Sequence, residues 1–258
     1  MDLGIDGLRV LVTAGASGIG LEIARAFAGE GARVHVCDVD EAGLDRLRES
    51  DPAFGRSRCD VADRGQVDWL FEEAVGALGG LDVLVNNAGI AGPTGRVEEI
   101  APEEWDRTLA VNITGQFNCA RLAVPLLRRS GNASIVNLSS AAGKFSFPLR
   151  APYSASKFAV IGFTRTLARE LGPDGIRVNA ILPGTVEGPR IDAVFDGKAR
   201  SRGITPDQVR EEALAYASLG RMIKPGDIAN LSVFLASPMG ANISGQALSV
   251  DADAQMLP

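Results

Sequence analysis

The sequence predicts a doubly wound α/β fold, in which one parallel sheet of about seven strands carries helices on both faces. Short runs rich in β-branched residues alternate with stretches of helical periodicity along most of the chain. Several runs, such as VLVT, DVLVN and SIVNL, are almost wholly apolar, as strands buried on both faces are. No linker, repeat or low-complexity tract divides the 258 residues, so we expect a single domain.

The strands are predicted where these short runs stand between helical stretches. In chain order they are Leu8–Thr13, Arg33–Cys37, Arg56–Asp60, Leu81–Asn86, Ala133–Leu138, Ile176–Ile181 and Ala247–Val250. Because each of the first six is followed by a helical or irregular stretch rather than a tight turn, the connections are crossovers and the strands run parallel.

The helices are predicted from apolar residues three and four positions apart and from proline at the first helical turn. In chain order they are Gly18–Gly29, Asp63–Leu78, Pro102–Arg129, Pro152–Leu171, Pro206–Ser218 and Pro225–Ala236. Pro125 is expected to kink the longest of them. The one long irregular stretch, Pro183–Thr205, has a length typical of functional or mobile loops.

Composition excludes several classes of function. The net charge of −6 offers no general attraction for nucleic acid or an anionic membrane, and no apolar run reaches the roughly 18 residues of a membrane span. Cys37, Cys59 and Cys119 lie far apart, as reduced thiols do. The single histidine, His35, argues against a metal site. We expect a cytoplasmic protein without a metal.

A glycine-rich turn follows the first strand and leads directly into a helix. Its sequence is TAGASGIG, Thr13 to Gly20, and such a turn lets backbone N–H groups approach a pyrophosphate at the positive end of the helix. Asp38 ends the next strand, where a carboxylate can bind the ribose hydroxyls of NAD and repel the extra phosphate of NADP. The alternatives are an ordinary turn and an Asp38 that caps the following helix, a role open to Asp40 as well.

Further polar clusters fall where later strands end. Asp60 and Val61 follow the third strand, Asn86–Gly89 follows the fourth, and Pro183–Gly184 follows the sixth. In open α/β sheets ligands bind outside the carboxyl ends of the strands, so these clusters predict one site at that edge.

A tyrosine and a lysine stand four residues apart at the start of a predicted helix. Tyr153 and Lys157, in PYSASK, would share one helical face, and a nearby ammonium lowers the pKa of a phenol toward the working range of an acid/base. Ser139 and Ser140 end the preceding strand at the same edge, where a hydroxyl can bind a substrate oxygen. The alternative is a solvated lysine beside a packed tyrosine.

In this order, TAGASGIG, Asp60, NNAG, Asn112 in AVNITG, NLSS, YSASK and LPG resemble the short-chain dehydrogenase/reductase family, and ISGQALSVD extends the likeness to Asp251. The resemblance implies a Rossmann-like NAD(P)-binding domain over residues 1–258, with a substrate lid at about 187–222. It implies an NAD-dependent oxidoreductase that moves a hydride between the nicotinamide and a secondary alcohol or ketone, possibly a sugar, polyol or hydroxy acid. It also implies a homotetramer.

The resemblance assigns roles to individual residues. Tyr153 is the acid/base, Lys157 lowers its pKa and holds the nicotinamide ribose, and Ser140 polarises the substrate oxygen, with Ser139 structural. Asn112 interrupts the long helix and holds a proton-relay water, unless it is an ordinary polar group of that helix. The implied cofactor residues, Tyr153 and Lys157 among them, further include Gly15, Ser17, Gly18, Ile19, Gly20, Asp38, Asp60, Val61, Asn87, Ala88, Gly89, Pro183, Gly184 and Val186.

Three departures from the family pattern stand out. Ala14 replaces the first motif glycine, so the turn is expected to differ by one residue around Gly15. Gly188 stands where a threonine is usual, so the cofactor hydrogen bond that this threonine would make is expected from Thr185 instead. Ala252–Asp253 replaces a glycine pair near the C-terminus.

Substrate specificity is expected from about 142–152 and 187–222. Arg150 and Arg190 suggest an anionic or polyhydroxylated substrate, whereas most arginines of the second segment are solvated or paired with Glu211 and Glu212. Three phenylalanines fit either an apolar pocket or the core; they are Phe145, Phe147 and Phe195.

Two alternatives to this function remain. One is a 3-oxoacyl-(acyl carrier protein) reductase using NADPH, against which Asp38 argues, and the other is a non-catalytic NAD-binding regulator. Ala155, Ala159 and Gly162 would allow close packing of a helix either between subunits or on its own sheet.

Overall fold

A computed structural model of the chain describes residues 3–257 and confirms the predicted fold class. The strands in this part are β1 (Arg9–Thr13), β2 (Arg33–Asp38), β3 (Gly55–Arg58), β4 (Val83–Asn86), β5 (Ser134–Leu138), β6 (Arg177–Pro183) and β7 (Ala247–Val250). All pair in parallel, in the order β3-β2-β1-β4-β5-β6-β7. The strand order reverses between β1 and β4, which is the switch point where such sheets bind ligands.

Helices cover both faces of this sheet. They are α1 (Gly18–Gly29), α2 (Glu41–Ser50), α3 (Arg64–Leu78), α4 (Pro102–Leu109), α5 (Gly115–Leu127), α6 (Ala151–Leu171), α7 (Pro189–Arg202), α8 (Pro206–Ala215) and α9 (Pro225–Ala236). Alternate residues of β1 face opposite ways: Val10 and Val12 pack toward α1 and α9, and Leu11 packs toward α3 and α5. Burial on both faces explains why the strand sequences are apolar throughout.

Several element boundaries differ from the sequence-based expectations. The predicted helix Pro102–Arg129 is divided into α4 and α5 by a π-helical turn, Ala110–Thr114, centred on Asn112. The stretch expected to be irregular contains α7, which begins at Pro189 and ends before Gly203 in the left-handed conformation. The short helix α2 was not predicted, since it carries few apolar residues.

Three non-glycine residues adopt left-handed backbone angles where the family pattern has glycine. Ala14, Ala252 and Asp253 have φ values of 51°, 56° and 57°. The departure at Ala14 therefore leaves the turn in place instead of moving it to Gly15, whose added Cβ would lie 2.7 Å from Val36. Each left-handed alanine costs roughly 1–2 kcal/mol relative to the right-handed form.

The small residues of α6 do not pack on the chain's own sheet. Ala155, Ala159 and Gly162 are exposed, together with Phe158 on the same helix. The cysteines are free, buried thiols, and no helix within residues 3–257 is long and apolar enough to cross a membrane.

His35, on β2, is buried against the neighbouring strand β3. Its Nε2 lies 2.8 Å from Ser57 Oγ, which in turn donates to Glu73 at 2.7 Å. Because the serine proton is already engaged, this pattern assigns the imidazole proton to Nε2. Nδ1 faces Gly55 and has no hydrogen-bond partner. Burial and the positive charge of Arg56 lower the pKa of His35 to about 4.

We expect His35 to make folding pH-dependent below its ordinary pKa of 6.5. The unfolded histidine takes up a proton there while the folded one resists until about pH 4, so acid favours the unfolded state. The pKa shift of His35 therefore does not affect the free energy of unfolding above about pH 6.5, and it lowers that free energy by about 2 kcal/mol at pH 5. Urea unfolding at pH 7 and pH 5 measures it. The His35→Gln variant keeps a donor but does not titrate, so it should lose about 2 kcal/mol less; equal losses would contradict a neutral imidazole.

Candidate active site

The carboxyl ends of the central strands open onto two neighbouring cavities. The glycine-loop cavity, of about 560 Å³, lies between the start of α1 and the ends of β1, β2 and β4. The Tyr153 chamber, of about 130 Å³, lies beside it at the ends of β5 and β6. The two are continuous, because four residues line both: Ile19, Asn87, Val186 and Arg190.

Most residues predicted to hold a dinucleotide meet at these cavities. The glycine-loop cavity is lined by Ser17, Gly18, Ile19, Gly20, Asp38, Asp60, Val61, Asn87, Ala88, Gly89 and Val186. Pro183 and Gly184 line the Tyr153 chamber, together with Thr185. Gly15 lines neither cavity, and its lack of a Cβ lets the turn pack against Val36.

The glycine-rich turn leaves room for a ligand at the start of α1. Gly18 has a φ of 53° and open space where a Cβ would stand, and Ser17 begins the helix without a side-chain capping bond. The N–H groups of the first turn have no partner within the helix and carry its positive dipole end. The Asn87 side chain donates to the carbonyls of Thr13 and Ala14 at 2.9 and 3.0 Å, which holds the turn in shape.

Asp38 is buried at the wall of the glycine-loop cavity. Its two carboxylate oxygens accept the backbone N–H groups of Ala16 and Asp40, each at 3.1 Å. Asp40 rather than Asp38 occupies the N-cap position of α2, although the Asp40 side chain makes no capping bond there. The carboxylate is thus fixed beside the glycine turn.

Asp60 is tied to a residue that sequence reasoning missed. Its carboxylate accepts the N–H of Ala62 at 3.0 Å and pairs with Arg107 at 2.9 Å. Arg107 lies on α4 and also lines the glycine-loop cavity. Because 47 positions separate the two residues, no local spacing signals this pair.

Tyr153 and Lys157 lie on one face of α6, as their spacing predicts. The Lys157 ammonium is buried, donates to the Leu138 carbonyl at 2.9 Å, and stands 5.7 Å from the centre of the Tyr153 ring. Burial lowers the pKa of Lys157 to about 8, against the opposing effect of Tyr153. Burial alone would raise the pKa of Tyr153, but Lys157, Arg190 and a hydrogen bond with Ser140 outweigh it and lower the pKa below its ordinary value.

The two serines after β5 have separate surroundings. Ser139 is buried and donates to the Lys157 carbonyl at 2.8 Å, which agrees with the structural role expected of it. Ser140 lines the Tyr153 chamber, and its hydroxyl accepts the N–H of Ala142 at 3.1 Å. Ser140 also contributes to lowering the pKa of Tyr153, and both side chains line the same chamber.

Asn112 is fully buried in the π-helical turn and is hydrogen-bonded to the loop that follows β4. Its amide accepts the Ile90 N–H at 2.7 Å and donates to the Ile90 carbonyl and to Ser156 Oγ, each at 3.0 Å. A Cβ added at Gly89 would lie 3.2 Å from its oxygen and 3.4 Å from the Lys157 ammonium. Asn112 and Lys157 therefore both flank Gly89, and the Asn112 side chain is buried and bonded outside its own helix.

Arg150 and Arg190, the predicted substrate residues, both flank Tyr153. Their guanidinium carbons lie 5.6 and 6.0 Å from the centre of its ring. Arg150 is buried and donates to Thr94 Oγ1 at 2.7 Å and to the Ala91 carbonyl at 2.6 Å. Arg190 is exposed and donates to the Gly89 carbonyl at 3.1 Å.

Of the three phenylalanines that were candidates for substrate contact, one lines the Tyr153 chamber and another is buried in a core. Phe147 lines the Tyr153 chamber and packs edge-on against the Tyr153 ring, with 6.5 Å between ring centres. Phe195 is buried in a small core of its own between α7 and α8, and Phe145 lies beside Lys144. Arg202 pairs with Glu212 as expected, whereas Arg210 pairs with Asp192 rather than with Glu211.

Within residues 3–257, no cluster of three His, Cys, Asp or Glu side chains is placed to hold a metal ion.

The chain is similar to known oxidoreductases over nearly its whole length. A family model described as enoyl-(acyl carrier protein) reductase matches residues 13–252. The 3-oxoacyl-(acyl-carrier-protein) reductase FabG of Thermotoga maritima is 38% identical over 251 residues, which cover 96% of this chain and 97% of the relative.

Two solved structures have the same fold. The crystal structure of levodione reductase superposes with a TM-score of 0.90 at 28% identity and covers 96% of this chain and 97% of that one. An actinorhodin polyketide ketoreductase with NADPH superposes with a TM-score of 0.88 at 37% identity and covers 94% and 95%.

Proposed function

The chain belongs to the short-chain dehydrogenase/reductase family of oxidoreductases, and on that premise we propose that it is an NAD-dependent enzyme that interconverts a secondary alcohol and its ketone, with Tyr153 as the acid/base. The proposal depends on one observation: Tyr153 stands beside a buried ammonium and a serine hydroxyl, in a chamber continuous with the glycine-loop cavity.

The residues at the glycine-loop cavity fit a dinucleotide. The open space beside Gly18 and Gly188 admits a ligand close to the backbone, and the first turn of α1 suits a pyrophosphate. We assign the ribose hydroxyls of the adenosine to Asp38 and the adenine to Asp60 and Val61. Lys157 holds the nicotinamide ribose, and Pro183, Gly184 and Val186 press on the nicotinamide.

A bound nicotinamide would supply the hydride acceptor or donor. In the oxidative direction the alcohol carbon loses its hydride while the alcohol oxygen loses a proton to the Tyr153 phenolate, which leaves a ketone. The cations around the ring favour this phenolate, so a larger fraction of Tyr153 is in its basic form near neutral pH. In reduction the Tyr153 hydroxyl gives the proton back to the substrate oxygen.

Ser140 and Asn112 support this proton transfer. The Ser140 hydroxyl donates to the substrate oxygen and stabilises the negative charge that develops on it. Asn112, beside Lys157, holds a water through which the proton leaves Tyr153 by way of Lys157. Both side chains are positioned by backbone bonds, so little reorganisation accompanies the reaction.

The segment at about 187–222 acts as the substrate lid in this proposal, within one NAD(P)-binding domain over residues 1–258. Helices α7 and α8 share a small core, Phe195, Ala199, Val209 and Ala213, that is separate from the two large cores of the sheet. A unit with its own core can move as one body over a bound substrate. We propose a homotetramer in which the exposed face of α6 packs between subunits.

A 3-oxoacyl-(acyl carrier protein) reductase that uses NADPH is the second candidate. It is favoured by the name of the Thermotoga maritima relative and by the NADPH in the ketoreductase structure. The fixed carboxylate of Asp38 favours NAD over NADPH.

The experiment measures reduced nicotinamide by its absorbance at 340 nm. In the oxidative direction, purified protein is mixed with NAD or NADP and a panel of secondary alcohols, polyols, sugars and hydroxy acids. In the reductive direction, it is mixed with NADH or NADPH and either ketones or a 3-oxoacyl thioester. Turnover of simple alcohols or ketones with NAD supports the first proposal. Exclusive turnover of the thioester with NADPH supports the second, and silence on every substrate supports a non-catalytic NAD-binding protein.

A further inference from the structure

A third cavity, of about 630 Å³, adjoins the Tyr153 chamber and is rich in arginine. We name it the arginine chamber; it lies between the 91–94 loop and one face of α7. Arg150, Arg190 and Arg200 line it, with the hydroxyl residues Thr94 and Ser201. Arg150 and Arg190 also line the Tyr153 chamber, so the two spaces meet at these side chains.

The charge of the arginine chamber is not neutralised by the protein. No carboxylate of residues 3–257 lines it, and none lies within ion-pair distance of Arg150, Arg190 or Arg200. The nearby acids Asp192 and Glu212 are engaged by Arg210 and Arg202 instead. Cations held together without counter-charge repel one another, and an anion placed among them relieves that repulsion.

Two of the cations at or near the chamber wall are buried. Lys198 is 2% exposed, with its ammonium 4.0 Å from the centre of the Phe147 ring. Arg150 is also 2% exposed, and its buried Nε has no hydrogen-bond partner. Leu149, directly before Arg150, has a left-handed φ of 64°. Strained backbone residues cluster at functional sites, so Leu149 marks this wall as a candidate for ligand binding.

We propose that the arginine chamber binds the carboxylate of the substrate, so that the enzyme acts on hydroxy acids and the corresponding keto acids. The inference rests on the proposed function, since it supplies the part of the substrate remote from the reacting carbon. Arg190 and Arg200 face the anion from the exposed side, and Arg150, held by Thr94 and Ala91, forms the wall between the two chambers.

The distances between the arginines and Tyr153 favour a short substrate. The Arg190 guanidinium carbon lies 6.0 Å from the centre of the Tyr153 ring, and that of Arg150 lies 5.6 Å away. A carboxylate bound at Arg190 is therefore separated from a carbinol carbon at Tyr153 by only a few bonds. Short-chain 3- and 4-hydroxy acids satisfy this spacing.

The test compares each acid with its uncharged amide. We expect kcat/KM with NAD to be at least tenfold higher for 3-hydroxybutanoate and 4-hydroxypentanoate than for the corresponding amides. Arg200→Gln should reduce kcat/KM for the acids at least tenfold and leave that for the amides within twofold. Arg202→Gln is the matched control, because it lies two positions along the same helix and pairs with Glu212 outside the chamber.

A binding measurement separates this inference from the proposed reaction. Succinate, which has no hydroxyl to oxidise, should raise the Tm of the protein in the presence of NADH, and the rise should vanish in Arg200→Gln but persist in Arg202→Gln. The succinate measurement tests the carboxylate site even if the protein turns over no alcohol. Equal turnover of acids and amides, or no succinate effect, or an effect that both variants retain, would overturn the carboxylate site while leaving the hydride-transfer proposal intact.

Discussion

Replacing Tyr153 with phenylalanine is expected to lower kcat/KM by about a thousandfold while the protein still binds NADH. The substitution removes only the hydroxyl, so the ring keeps its edge-on contact with Phe147 and the cavity keeps its shape. Loss of a positioned acid/base typically lowers the rate by 10²–10⁴. Three cations surround the Tyr153 ring and favour its phenolate, so we expect this hydroxyl to be the main proton acceptor. Steady-state kinetics with the best alcohol of the panel and NADH fluorescence titration measure the two properties.

The chain offers a matched control in its one other tyrosine. Tyr216 ends α8 and lines none of the three cavities, so Tyr216→Phe should retain the wild-type rate. In the wild type, the oxidative rate should rise with pH up to a pKa below the ordinary 10 of a phenol, because the phenolate is the base. A Tyr153→Phe variant that keeps even a tenth of the activity would contradict the role given to the hydroxyl.

What the sequence predicted well depends on neighbours along the chain. The glycine turn, the Tyr153–Lys157 pair and the strand-end clusters each occupy a few consecutive positions, and the parallel topology then brings them to one edge of the sheet. Continuous apolar runs located the strands because burial on both faces leaves no room for polar residues. The fold class and the meeting place of the site followed from these local signals.

What the sequence missed depends on contacts between distant positions or on backbone detail. The pair between Arg107 and Asp60 and the bonds from Arg150 to the 91–94 loop join residues more than 40 positions apart. The helix α7 was expected to be irregular, since its apolar positions face only the small core with α8. The left-handed turn at Ala14 was expected at Gly15, because packing against Val36 rather than conformation requires that glycine.

The carboxylate of Asp38 is expected to make NAD the preferred cofactor by at least a hundredfold in kcat/KM. Its oxygens are held by the N–H groups of Ala16 and Asp40, so the charge cannot turn away from the cavity. Of the two cations that line the cavity, Arg107 is paired with Asp60, and Arg190 lies at the end shared with the Tyr153 chamber, where it donates to the Gly89 carbonyl. A ribose phosphate placed beside Asp38 would meet an uncompensated like charge, which costs several kcal/mol.

Asp38→Ser removes this charge and should shift the ratio of kcat/KM for NAD over NADP toward NADP by about a hundredfold, equivalent to ~3 kcal/mol. The ratio is more informative than either rate alone. Loss of the two bonds from Asp38 to the backbone N–H groups also weakens the glycine turn and lowers kcat/KM for both NAD and NADP. Asp40→Ser is the matched control: its half-exposed carboxylate lies two residues away and lines no part of the cavity, so the ratio should stay unchanged. A wild type that prefers NADP, or a ratio that both substitutions move equally, would show that the charge of Asp38 does not select the cofactor.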